Sequence, residues 1–269
     1  MAIYDYEGTT LATAYDVNGD DLPEAFDVDG ESVWSADREW KDTATIAVLP
    51  QIDVTGIKQG GCTDGEYIYQ CSGDSTNYTY MKIVKYKISD ATYTVVQYNG
   101  TPNFGHANDM TYNPKTGYLY VCTMLSDGSI IVLNASDLSY VDTIYVTDYA
   151  GDSYAVWQFC YDRIRDVYYS ACGGDLCEYD ADWNCTDQWT IAEHPEATGQ
   201  GCETDGAYLY RITYNPNLVS VCKLSGEFVK DISNPVSGEP EAIMYDWHGN
   251  WYFSKYTQYG FLYTIELYE

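Results

Sequence analysis

Basic residues are scarce in this chain: 13 Lys and Arg stand against 41 Asp and Glu, for a formal net charge of −28. Such a surface repels phosphate backbones and anionic headgroups, and no Lys/Arg cluster offsets it, so nucleic acid is not an expected partner. No apolar run of about 18 residues occurs, so membrane insertion through a helix is not expected either. The opening MAIYDYEGTT has neither a basic n-region nor an apolar h-region, so no signal peptide is read there and cytoplasmic synthesis is expected. No stretch keeps a helical period between caps. The catalytic strings GxSxG, Walker loop and HExxH are all missing. The four Arg (Arg38, Arg163, Arg165, Arg211) are too scattered to form a triad gripping a carboxylate sugar. CxxC pairs are missing as well, which argues against structural zinc. The cysteine count of nine is odd, and most sit among apolar neighbours (YVCTM, QFCYD, SVCKL). They are read as reduced core thiols.

What the chain does have is a repeat. His106 to Tyr120, HANDMTYNPKTGYLY, runs into an Asn-Pro-Lys-Thr-Gly turn and out through an aromatic run, which is a β-hairpin pattern. Relatives follow at GGCTDGEYIYQC, FCYDRIRDVYYSAC, GCETDGAYLYRI and AIMYDWHGNWYFSK. Their turns open on Asp64, Asn113, Asp162, Asp205 and Asp246, at spacings of 49, 49, 43 and 41 residues. An Asp or Asn belongs there because its side chain accepts backbone N–H groups two residues on. Units of this length built from short strands predict an all-β fold: a five-bladed β-propeller over residues 43–269. The last unit lacks an outer strand, and an open edge is avoided in folded proteins. Residues 43–52 (TATIAVLPQI) are expected to fill that place; a sixth blade would require part of residues 1–42. The 30 Tyr, against 6 Phe, suit strands with one wet end.

Residues 1–42 read as a separate attachment segment. YDYEGTTLATA, YDVNGDDLPEA and FDVDGESVWSA recur with a period of 11, each a minimal strand–turn–strand around Glu-Gly, Asn-Gly or Asp-Gly. Three such units bury little alone, so a stalk contacting copies of itself or a partner is expected. Asp16, Asn18, Asp20 and Asp27 match positions 1, 3, 5 and 12 of a calcium loop, but Asp21 stands where that loop needs Gly. The repeat accounts for these residues without metal, and no cofactor is assigned.

The stretches GHANDMTYNPKTGYLYV and QGGCTDGEYIYQ resemble β-propeller repeats in proteins of gut Firmicutes and their prophages. The AYDVNGDDL and AFDVDGESV units resemble short N-terminal repeats of the same proteins. The resemblance implies a phage tail, fibre or cell-surface recognition protein, with virion association. It carries no activity over to any residue. Trp-Asp endings, Kelch Gly-Gly signatures and sialidase boxes are not found.

Five residues before each turn anchor stand Gln59, Asn108, Trp157, Gln200 and Glu241, with His106 and Glu239 two residues ahead of Asn108 and Glu241. If inner strands line a common axis, these seven converge at one mouth. Amides and carboxylates beside an aromatic face suit a sugar, which needs paired donors and acceptors and a flat surface. Non-enzymatic recognition of a neutral or weakly basic glycan is the first reading. A polysaccharide hydrolase or lyase using two of Asp109, Glu203, Glu239 and Glu241 is the second. A structural virion component is the third.

Overall fold

The computed structural model describes residues 14–15, 21–22, 24–26, 32–35, 39–49, 59–74, 77–172, 174–191, 198–256 and 261–268. Two compact units result: Met1–Lys41 with Tyr268–Glu269, and Asp42–Leu267. In the first unit, β1 (Ala14–Tyr15) pairs antiparallel with β2 (Asp21–Leu22), and β3 (Glu24–Phe26) pairs antiparallel with β4 (Ser32–Ser35). The calcium-like residues Asp16, Asn18, Asp20 and Asp27 lie outside the described residues.

The second unit is built of antiparallel groups of four strands, the last two of them joined into one eight-stranded sheet by a parallel bridge between Ser233 and Thr43. After β5 (Trp40–Val48), the first comprises β6 (Gly61–Thr63), β7 (Tyr67–Asp74), β8 (Asn77–Lys87) and β9 (Tyr93–Asn99). The second comprises β10 (Asp109–Asn113), β11 (Tyr118–Cys122), β12 (Ser129–Asn134) and β13 (Tyr140–Tyr145). The third has β14 (Gln158–Asp162), β15 (Val167–Cys172), β16 (Asp175–Tyr179) and β17 (Cys185–Thr190). In the fourth are β18 (Thr198–Thr204), β19 (Tyr208–Tyr214), β20 (Leu218–Lys223) and β21 (Phe228–Ser233). The last runs β22 (Pro240–Tyr245), β23 (Trp251–Lys255) and β24 (Phe261–Tyr268), with β5 hydrogen-bonded to β24 on its outer side. Leu49 N–H extends that pairing to Leu262 O at 2.9 Å. Strand β5 begins at Trp40, ahead of the expected Thr43, and the Trp40 indole meets the Tyr268 ring edge-on at 5.7 Å.

The repeat forms hairpins because each anchor side chain caps its own turn. Asp64 Oδ1 accepts Glu66 and Tyr67 N–H (2.9 and 2.7 Å), and Asp205 Oδ1 accepts Ala207 and Tyr208 N–H (both 3.0 Å). Asn113, Asp162 and Asp246 do the same for Lys115, Ile164 and His248, each at 2.8 Å. Tyrosine reinforces three of these turns through its hydroxyl: Tyr69 on Asp64, Tyr161 on Asp166 and Tyr210 on Asp205. That explains the preference for Tyr over Phe: its ring packs between sheets while its O–H reaches the turn.

Apolar clusters fill the spaces between successive sheets. Met81, Phe104, Met110 and Leu119 lie in one, Phe159, Tyr161 and Tyr168 in the next, and Cys160, Cys202 and Leu209 in a third. Tyr86, Ala242 and Met244 join the last sheet to the first. Each such buried side chain contributes about 1.5–3 kcal/mol. The inner strands touch in a closed cycle: β6 on β10, β10 on β14, β14 on β18, β18 on β22, and β22 on β6. The eight cysteines whose side chains are described form no disulfide, and seven of them are buried.

Candidate functional site

The inner strands all start at one end of this cycle and turn at the other, so residues ahead of the turn anchors gather at the start end. Gln59, Asn108 and Trp157 precede β6, β10 and β14, while Gln200 and Glu241 occupy bulges in β18 and β22. A bulge leaves one residue unpaired and re-aims its side chain. Neighbouring contacts fix the order around the cycle. Gly60 N–H donates to Ala107 O at 3.3 Å, placing Gln59 against the His106–Asn108 segment. A Cβ on Gly201 would lie 3.2 Å from Glu241 O, placing Gln200 against Glu241.

Asn108 holds this end together. Its side-chain N–H groups reach Trp157 O at 2.6 Å and Gln200 O at 2.8 Å, on the next sheet and the one beyond. Those amide donors of Asn108 are committed to main-chain carbonyls. Gln200 Nε2 donates to Glu239 Oε1 at 2.7 Å. Three acceptor oxygens here are closed off from solvent and have no donor among the described residues: Gln59 Oε1, Gln70 Oε1 and Glu241 Oε1. Gln70 stands opposite Gly61 and donates its Nε2 to Gln59 O.

One residue deeper the axis is packed shut. Asp109, fully buried, accepts N–H from Met110 (2.9 Å), Phe159 (2.8 Å) and Cys202 (2.9 Å), so one carboxyl fastens three sheets. Gln158 beside it donates to Gly201 O at 2.8 Å and accepts Arg211 Nε–H at 3.1 Å. Gly60 is required at this level, because a Cβ there would fall 2.2 Å from Asp109 Cα. The start-end mouth is thus a shallow site over a solid floor.

The carboxyl groups differ by environment. Burial, followed by the nearby Glu239, drives the Glu241 pKa well above its ordinary value. Burial does the same to Asp109 against the pull of its three N–H donors. His106, half-buried, is lowered by desolvation, so its neutral form is favoured. Glu203 sits at the turn end of β18, where burial raises its pKa to about 8. The four acids weighed for catalysis therefore do not share one site: Glu239 and Glu241 lie together, Asp109 is a fastener, and Glu203 is at the opposite end. Among the described residues no group of three or more His, Cys, Asp or Glu is placed to hold a metal ion.

Of the residues expected at the mouth, hydrogen bonds directly link Asn108, Trp157, Gln200 and Glu239, and adjacency adds Gln59, His106 and Glu241. Gln70 and Gln158 escaped the sequence reading. Gln158 stands one position after Trp157, aligned with Asp109, so extending the repeat alignment by one column would have exposed it.

No protein-family model matches the chain, and no curated protein matches it. Solved structures do. The Myxococcus xanthus glutaminyl cyclase structure aligns with a TM-score of 0.64 over 86% of this chain and 98% of its own, at 13% identity. Regucalcin from Agrobacterium tumefaciens, a calcium-binding protein, aligns with a TM-score of 0.52 over 83% and 94%, at 8% identity. At such identities the likeness shows the fold: an all-β, propeller-like arrangement of four-stranded sheets.

Proposed function

We propose that the protein is a recognition module built on a five-bladed propeller, and that its start-end mouth binds a neutral or weakly basic sugar. The observation that supports this is the surplus of unmet acceptors, Gln59 Oε1, Gln70 Oε1 and Glu241 Oε1, beside the Glu239 carboxylate. A buried polar atom without a partner costs roughly 1–3 kcal/mol, which a ligand bringing donors recovers. Sugar hydroxyls or an ammonium group supply those donors, and half-buried Trp157 offers the flat surface. The acidic charge favours a neutral or basic ligand over an anionic one. Residues 1–42 act as the attachment segment, in keeping with a cell-surface or phage recognition role.

A second reading, a hydrolase or lyase, draws on Glu241, whose pKa burial and the nearby Glu239 raise, a pairing of unlike carboxyl groups suited to acid–base chemistry. The neighbours that share the fold include an enzyme, the glutaminyl cyclase. The deciding experiment screens the full chain against a panel of neutral and amino sugars and glycans by calorimetry, with product analysis of every positive. Saturable binding without turnover supports the module, and turnover abolished by Glu241→Gln supports the enzyme. For any ligand found, Gln200→Ala should weaken binding roughly tenfold, and Trp157→Ala further, with melting temperatures near the parent's. Undiminished binding to both variants removes the site.

A further inference from the structure

The turn end of the same inner strands presents the opposite chemistry. Arg163 follows Asp162 in the β14–β15 turn. Its guanidinium carbon lies 5.9 Å from the Tyr112 ring centroid, on the neighbouring sheet, and 5.3 Å from that of Trp247, which follows β22 two sheets away. A side chain that touches both lies over the axis. Aromatic faces attract the cation while leaving its in-plane N–H groups unspent. The Nε–H is closed off from solvent and meets no acceptor.

The surrounding carboxyl groups spend their hydrogen bonds elsewhere, while burial lowers the Arg163 pKa against the charges of Glu203 and Asp64. Asp64 is held by Glu66 N–H, Tyr67 N–H and the Tyr69 hydroxyl, and Asp205 by Ala207 N–H, Tyr208 N–H and the Tyr210 hydroxyl. Asp162 pairs instead with Arg165, at 3.0 Å. Glu203, 5% exposed, is an interior acid whose pKa burial raises to about 8. No ion pair shown among the described residues includes Arg163. The end is also a built surface. Arg165 donates to Gly206 O at 2.6 Å, and a Cβ on Gly206 would stand 3.5 Å from the Trp247 indole.

We propose that this end is a second binding site, for the carboxylate of a small organic acid, with Arg163 as its anchor and Tyr112 and Trp247 holding the guanidinium in place. A carboxylate pairs with the two terminal nitrogens of one guanidinium as a fork. The site is independent of the start-end mouth and takes the opposite charge. It stands whether or not a sugar binds there.

The test is a titration of the full chain with benzoate at pH 7, with benzamide as the uncharged control. The readout is the Trp247 indole N–H signal, assigned by its loss in Trp247→Phe. Saturable benzoate binding is expected, with benzamide and the Arg163→Gln variant each weaker by at least roughly tenfold. Arg163→Lys keeps the charge but loses the fork, so intermediate affinity is expected; it also serves if Arg163→Gln fails to fold. Gln200→Ala should bind benzoate as the parent does. Equal binding of benzamide, parent-like affinity in both Arg163 variants, or no saturable benzoate binding overturns the proposal.

Discussion

At the start of the inner strands acceptors go unmet among the described residues, whereas at the turns a few residues away the anchor carboxyls are met and a donor is left over. The cause is local backbone geometry. An Asp that opens a tight turn finds N–H groups two and three residues ahead, so Asp64, Asp162, Asp205 and Asp246 are satisfied within their own hairpins. A residue entering a strand has no such supply, because the ladder takes the main-chain N–H groups. Glu241 and Gln59 must therefore find donors on another sheet, and their Oε1 atoms find none. Acidity alone thus does not mark a site in a chain with 41 Asp and Glu; what matters is whether the turn already uses the acid.

The strongest way to break this contrast is at Asp109, the carboxyl between the two ends. Asp109→Ala leaves the N–H groups of Met110, Phe159 and Cys202 without their acceptor in a dry interior. Each orphaned donor costs roughly 1–3 kcal/mol, partly offset by removing an acid that burial disfavours. A net loss of about 3 kcal/mol, or roughly 10 °C in melting temperature, is expected. A variant melting within about 2 °C of the parent would show that the sheets do not depend on this fastener.

A smaller effect separates fasteners from ligand groups at the start end itself. Asn108→Ala strips donors from Trp157 O and Gln200 O and should cost about 2 kcal/mol. Gln59→Ala deletes an oxygen that has no partner and should leave stability within about 0.5 kcal/mol while weakening any sugar found. Chemical denaturation of both variants checks this. The reverse ranking would mean that Gln59 is structural and Asn108 is free.

Much of this architecture is legible in the chain because the turn anchors are local. An Asp or Asn followed by an aromatic run, with Gly in four of the five turns, reports its own hairpin, and five such reports at near-even spacing imply the cycle of inner strands. Convergence of Gln59, Asn108, Trp157, Gln200 and Glu241 follows from the same register. The fate of their hydrogen bonds does not. Whether Asn108 faces a ligand or the Trp157 carbonyl depends on how closely neighbouring sheets approach, which glycines at positions 60 and 201 set and no periodicity encodes. The bulges at Gln200 and Glu241 are likewise invisible to a period of two. One arginine on a turn, such as Arg163, carries no pattern in the sequence; only the packing of Tyr112 and Trp247 from other sheets makes it notable.

The mildest test of the two-ended contrast is a pH titration of stability at Glu203. Its carboxyl is raised from 4.5 to about 8, first by burial, with N–H groups of Thr204 and Tyr245 and the Arg163 charge opposing and Asp205 adding to the rise. Cys62 and Asp109 also feel its charge. A folded-state pKa above the unfolded one means that the native state binds the proton more tightly. The stabilisation is therefore complete below about pH 4.5 and lost as pH rises through about 8. Glu203→Gln keeps a neutral side chain of the same shape at every pH. It should melt with the parent near pH 4.5 and progressively above it toward pH 9, by on the order of 5 °C at the alkaline end. Glu241 is raised in the same sense and tilts both curves alike, whereas Asp109 loses the Glu203 charge in the variant, so the difference between the curves reports Glu203 together with its coupling to Asp109. Parallel melting curves from pH 5 to 9 would mean that Glu203 is ionised throughout, and the turn end would then hold a charged Glu203 beside Arg163 in place of a neutral donor.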